Sequence, residues 1–181
     1  MRLLAPGFSI NNNDDRLMVL AEYCRLPLVS CSSLVAAAIR NRTHLGARAQ
    51  ACLEAGKLIP NALILQLLEE RLTESDMQDG WVLSGFPRNM NQVAILNAML
   101  LNIDQPYDVV IHLQDIDSRQ TPTLIGNQLI YPAYVSADAV LKTPLGTFYN
   151  RLNQLVSISN NMSLATVYSL LRERCVGFAE N

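Results

Sequence analysis

Chemistry that requires a lysine ammonium has only two candidates in this 181-residue chain, Lys57 and Lys142, because the other 12 of its 14 basic residues are arginines. Metal ligation is no better supplied. Cys24, Cys31, Cys52 and Cys175 lack C-x-x-C spacing and show no ligand spacing with His44 and His112, so they read as reduced thiols and no metal is expected. The oxygen-rich run Asn11-Asn12-Asn13-Asp14-Asp15 lacks the alternation and the glycine of a calcium loop, and reads as a solvated helix cap. Asn41 and Asn161 each open a glycosylation sequon, a chance match where no basic-then-apolar leader precedes them.

These side chains must be positioned by short strands alternating with helices. A strand over 1–5 stops at Ala5-Pro6-Gly7, and a helix follows to about Cys24 on the spacing of Leu17, Leu20 and Ala21. A short strand over 26–29 leads to a helix capped by Ser30, Ser32 or Ser33 and running through Leu34, Ala37 and Ala38. Helices over 43–53 and 61–72 are divided by a Gly56 stop and a Pro60 start. A buried strand over 81–83 begins with Trp81 and ends at the turn Gly85-Phe86-Pro87, with Phe86 packed inward. A helix over 91–101 and a strand over 108–113 complete the series. Such alternation predicts a parallel sheet covered on both faces, with ligands bound beyond the carboxyl ends of its strands.

The pattern weakens after Gln114. Residues 118–146, with Pro122, Pro132, Pro144, Gly126 and Gly146, read as a loop-rich insert. Two closing helices are expected over 147–156 and 163–175, while 158–161 is too polar for a core strand. Tyr131, Tyr134 and Leu141 make the insert apolar and mark it as the candidate protein interface.

A net charge of −2 supplies no field to hold a nucleic-acid backbone. No stretch approaches the roughly 18 uninterrupted apolar residues of a membrane span. The expectation is a soluble intracellular protein of one domain, compartment unspecified.

The stretch from Leu26 to Arg88 resembles the adenylate kinases. Ser30-Cys31-Ser32-Ser33-Leu34 sits where that family has Ser-Thr-Gly-Asp-Leu, followed by an Ala-rich helix, Leu45-Gly46 and Ala55-Gly56-Lys57-Leu58-Ile59-Pro60. Glu70-Arg71-Leu72 and Gly85-Phe86-Pro87-Arg88 with Gln92 continue the series at the family's spacing. The likeness covers about residues 17–113 and implies an α/β fold: a three-layer P-loop kinase sheet flanked by helices, a monophosphate-binding arm near 31–60 and a reduced lid at 118–146. It also implies roles for Arg88 at a phosphate and Gln92 at a base, beside Gly85, and matches Arg151 to a family Lys-Arg-Leu.

The same likeness exposes departures. Family chains carry Gly-x-Pro-Gly-x-Gly-Lys-Gly-Thr after the first strand. Here only Ala5-Pro6-Gly7 survives, Asn12 and Asp14 belong to the degenerate remainder, and counting back from Ser30 sets Asn13 at the lysine and Asp15 at the threonine. Ser84 replaces an acidic residue, Ala36 an arginine, and Gly126-Asn127-Gln128 the lid's Gly-Arg-Arg. On those losses the resemblance implies a catalytically inactive member with a degenerate phosphate loop, weak or absent nucleotide binding and no cofactor. Such a chain would serve as a structural or protein-interaction module, such as a subunit of a larger complex. The alternatives are a nucleotide-sensing domain that binds a monophosphate through Arg88, Gln92 and Arg151 without turnover, and a divergent adenylate kinase.

Overall fold

The computed structural model describes residues 1–6, 14–114, 123–125, 128–130, 143–159 and 161–177. Its centre is a five-stranded parallel sheet. In chain order the elements are β1 (Arg2–Ala5), α1 (Asp14–Cys24), β2 (Leu28–Ser30), α2 (Cys31–Arg40), α3 (His44–Glu54), α4 (Asn61–Leu72), β3 (Trp81–Ser84), α5 (Met90–Asn102) and β4 (Val109–Gln114). A two-stranded antiparallel hairpin follows, β5 (Thr123–Ile125) and β6 (Gln128–Ile130), then α6 (Pro144–Arg151), β7 (Leu155–Ser159) and α7 (Leu164–Gly177). Strand order in the main sheet is β2-β3-β1-β4-β7. The three-layer parallel α/β architecture expected from the sequence is therefore present.

Side-chain alternation along the strands builds the layers. Leu4, Trp81, Leu83 and Val110 enter one core with Leu68 and Leu72 of α4, Val93, Leu96 and Leu100 of α5, and Leu145 and Tyr149 of α6. Leu3, Val82, Val109, Ile111, Val156 and Ile158 enter the opposite core with Leu17, Leu20 and Ala21 of α1 and Val167 and Leu171 of α7. Burying each such aliphatic side chain contributes about 1.5–3 kcal/mol. A third, smaller core joins Val35 and Ala38 of α2, Leu45 and Ala49 of α3, and Leu63 and Leu67 of α4. Gly46 is required there: a Cβ at that position would lie 2.0 Å from the Ala38 carbonyl oxygen, so any other residue would push α2 and α3 apart.

Most local expectations match these elements to within a residue or two. The closing segment is different. A helix expected over 147–156 is instead α6, started at Pro144 under the Thr143 hydroxyl, which accepts from the Gly146 N–H at 3.0 Å. It stops near Asn153, whose φ of 54° breaks the helical path. Leu155–Ser159 then form β7, a strand that takes in the end of the expected helix and the first two residues of the 158–161 segment expected to be too polar for a core strand. Only Val156 and Ile158 of that strand are buried, and pairing with β4 from Val110↔Leu155 to Gln114↔Ser159 satisfies the backbone between the two serines. At β2 the extended pairing begins at Leu28 rather than at Leu26. Ser30 takes the N-cap position of α2, yet its hydroxyl bonds to Ser32 Oγ at 2.8 Å instead of capping the helix.

The four cysteines are free, and among the described residues no three His, Cys, Asp or Glu side chains converge as a metal site. No helix among those residues is long and apolar enough to cross a membrane. Tyr131, Tyr134 and Leu141, the expected interface, lie outside the described residues.

Candidate functional site

A parallel sheet that runs outward in both directions from β1 leaves a crevice where its strands end. Here β1 lies between β3 and β4, and Ala5, Ser84 and Ser30 stand in register across β1, β3 and β2 at that edge. Gly85 leaves the sheet with a φ of 81°, a conformation glycine adopts without a Cβ penalty, and its N–H donates to the Ala5 carbonyl at 3.2 Å. The chain then passes through a cis Phe86–Pro87 peptide, with Phe86 buried as expected from the turn.

That turn delivers Arg88 to the crevice. The exposed guanidinium is steadied by Nε donating to the Gly85 carbonyl at 3.0 Å, while the Arg88 backbone N–H donates to Gln92 Oε1 at 2.7 Å. Asn89 caps α5, its Oδ1 accepting from the Gln92 N–H at 3.0 Å. Gln92 Nε2 then crosses to α4 and donates to Asn61 Oδ1 at 2.9 Å. One loop thus links β3, α5 and the first residue of α4 around an exposed cation. On the segment before α4, Leu58 is 95% exposed, a large apolar surface with nothing packed on it.

Cys31, the first residue of α2, faces the same cation. Its thiol is pushed up to about 12 by burial, against a lowering by the positive charge of Arg88. At pH 8 the thiolate is then about one part in ten thousand. Iodoacetamide applied to the folded protein at that pH is expected to leave Cys31 unmodified by mass spectrometry, and labelling on unfolding should recover it. Fast native labelling of Cys31 would show an open α2 start.

The structure brings Gly85, Arg88 and Gln92 together and leaves Arg151 elsewhere. Arg151 ends α6, and the residues that follow it enter β7 opposite the start of β4, with the Val110 N–H donating to the Gln154 carbonyl at 2.9 Å. It therefore sits at the edge where the strands begin, a sheet's length from Arg88. A three-residue likeness to Lys-Arg-Leu carried no information about which edge the helix would reach. Asp14 and Asp15 open α1, Asp15 exposed, whereas Gly7, Asn12 and Asn13 lie outside the described residues. Ala36 is exposed on α2 and presents only a methyl group.

Two features escaped the sequence reading. Asn61 was visible only as a helix start, and nothing local signals its bond to a residue 31 positions away. A cavity of about 290 Å³ also opens beyond the ends of β4 and β7, between α1 and α7, lined by Val19, Leu113, Ile158, Met162 and Leu164 with Asp15 and Arg16 at its polar side.

Comparison with known proteins bears on this geometry. The family model described as adenylate kinase matches residues 16–163. The chain is 34% identical to the adenylate kinase of a Cyanothece species, over 82% of this chain and 76% of that protein. It is 32% identical to adenylate kinase 1 of a Synechocystis species and 30% identical to the adenylate kinase of Oenococcus oeni, each over 93% of this chain and 92% of the relative. These similarities overturn the expectation of a catalytically inactive structural or protein-interaction module. That expectation weighed each replaced side chain against a motif, whereas the likeness to proteins named as kinases extends over nearly the whole chain.

Proposed function

This chain belongs to the adenylate kinase family, and from that premise we propose that it is a divergent adenylate kinase, moving a phosphoryl group between ATP and a monophosphate held where β3 ends. The observation that carries the reading is the Arg88 loop, in which an exposed guanidinium is fixed to the Gly85 carbonyl beside the Gln92 carboxamide. Such a fork suits the bidentate grip of a phosphate. Gln92 meets the base, and Leu58 supplies apolar surface for its ring. Residues 31–60 then act as the monophosphate-binding arm of a single domain and 118–146 as its reduced lid. The apolar cavity beyond β4 and β7 suits the base of the second nucleotide.

Phosphoryl transfer depends mainly on positioning and on neutralising charge, so replaced residues lower the rate by degrees. The divergence lies in residues 8–15, which lack the later glycines and the lysine of the family loop, and in the neutral Ser84. Ser84 is 3% exposed, and a buried hydroxyl does not fit the role of an acidic group that organises magnesium, so no step is assigned to that metal at β3. Turnover is expected below the roughly 10 per second typical of enzymes. The test supplies the purified chain with AMP and the magnesium salt of ATP and follows ADP by chromatography. ADP that accumulates in proportion to protein supports the reading; none above background at saturating substrates overturns it.

A further inference from the structure

Resting on that reading, we propose that Asn61 is a positioning residue that locks the Gln92 carboxamide in one orientation, so that the site prefers a 6-aminopurine monophosphate to a 6-oxopurine one. A carboxamide has an acceptor end and a donor end, and half a turn about its last torsion exchanges them. In most sites the two orientations are distinguished only by their partners. Here one partner cannot be reversed: the Arg88 backbone N–H is a donor in any arrangement, and it lies 2.7 Å from Gln92 Oε1. Asn61 Oδ1 holds the other end, accepting from Nε2 at 2.9 Å. Turning the amide over would set its hydrogens against the Arg88 N–H.

The two anchors come from different elements. Arg88 belongs to the turn after β3, Gln92 to the first turn of α5 and Asn61 to the first turn of α4, so the amide is held from both sides of a helix pair. One acceptor position on Oε1 and one hydrogen on Nε2 remain for a ligand. A 6-aminopurine offers a donor at its amino group and an acceptor at the neighbouring ring nitrogen, which match that pair. A 6-oxopurine offers the reverse, an acceptor at its oxygen and a donor at the ring nitrogen. The locked amide therefore opposes the second base at both positions, the kind of mismatch by which a polar site discriminates.

Two measurements on the full chain test this. Calorimetric titration compares AMP with inosine monophosphate for the unmodified protein, Asn61→Ala and Asn61→Asp. NMR of the labelled protein follows hydrogen exchange of the Gln92 side-chain amide in the same three. The alanine variant removes the acceptor, whereas aspartate keeps one that cannot be reversed. The unmodified protein should favour AMP. Asn61→Ala should cut that preference by roughly fivefold or more, the worth of one neutral hydrogen bond, and speed exchange of the Gln92 amide. Asn61→Asp should restore both, which a general loss of folding in the alanine variant would not explain. An AMP preference unchanged in Asn61→Ala, or an amide whose exchange ignores the substitution, overturns the role of Asn61 and leaves the kinase reading standing. Binding of neither nucleotide by the unmodified protein overturns that reading and the selectivity with it.

Discussion

Replacement of Arg88 by alanine is expected to lower kcat/KM for AMP by about 10²–10³-fold while leaving the thermal midpoint within about 2 °C of the unmodified protein. The first effect follows from position. Arg88 is carried on a turn that is pinned at Gly85 to the end of β1, at Phe86 to the core and at Gln92 to α5, so its charge is held in place before a substrate arrives. A preorganised cation aimed at a phosphate acts in the transition state without reorganising, and removing one such donor typically costs that much in rate. The second effect follows from exposure, since the side chain's own bond is to the Gly85 carbonyl at the surface. Arg88→Lys keeps the charge and loses the planar fork, so an intermediate loss is expected. Arg151→Ala serves as the contrast: at the opposite edge of the sheet, it should change kcat/KM by less than about twofold. Steady-state kinetics on the three variants decide the matter, and an Arg88→Ala enzyme as active as the unmodified one would remove the monophosphate site from this loop.

Trp81→Ala should be the most damaging single change to stability, at about 3–5 kcal/mol and roughly 10–15 °C in thermal midpoint by scanning calorimetry. Trp81 is fully buried at the start of β3, against α4 and α5. Its Nε1–H donates to Gln105 Oε1 at 2.9 Å, and Gln105 Nε2 donates in turn to the Leu72 carbonyl at 2.8 Å. The indole thus fills the core and also satisfies a glutamine that is only 3% exposed. Alanine opens a cavity and strands the Gln105 oxygen together. Trp81→Phe separates the two contributions, since the ring still fills much of the space while the oxygen loses its donor, a penalty of about 1–3 kcal/mol. A phenylalanine variant that melts with the unmodified protein would show that the Gln105 bond contributes nothing. One that melts as low as the alanine variant would shift the weight from ring packing to that bond.

Wherever a segment's structure follows from its own neighbours, the amino-acid sequence was sufficient. Val109, Val110 and Ile111 have no polar face and can only be a strand covered on both sides, which is how β4 lies between β1 and β7. Pro60 marks a helix start because no N–H is needed just before a first turn, and α4 begins at Asn61 with Pro60 as its N-cap. The alternation of such segments determined the parallel α/β class, and Gly85, Arg88 and Gln92 were legible because a turn and one helical turn bring them together locally. Reading replaced residues one at a time as loss of activity was the step that failed, since a rate sums many placed charges and dipoles.

Tertiary structure alone decided what depends on distant partners. β7 alternates only two buried aliphatics with serines, too weak a pattern by itself, and becomes a strand because the free edge of β4 offers five backbone partners. Arg88 and Arg151 look equally cationic in the sequence, yet one is placed where strands end and the other where they begin, because α6 runs back along the sheet before β7 enters it. Asn61 and Gln92 meet only because α4 and α5 pack side by side over the core that Leu68, Leu72, Val93 and Leu96 share. Hydrophobic pattern is a property of a segment, whereas the direction in which a polar side chain finds its partner is a property of the packed whole.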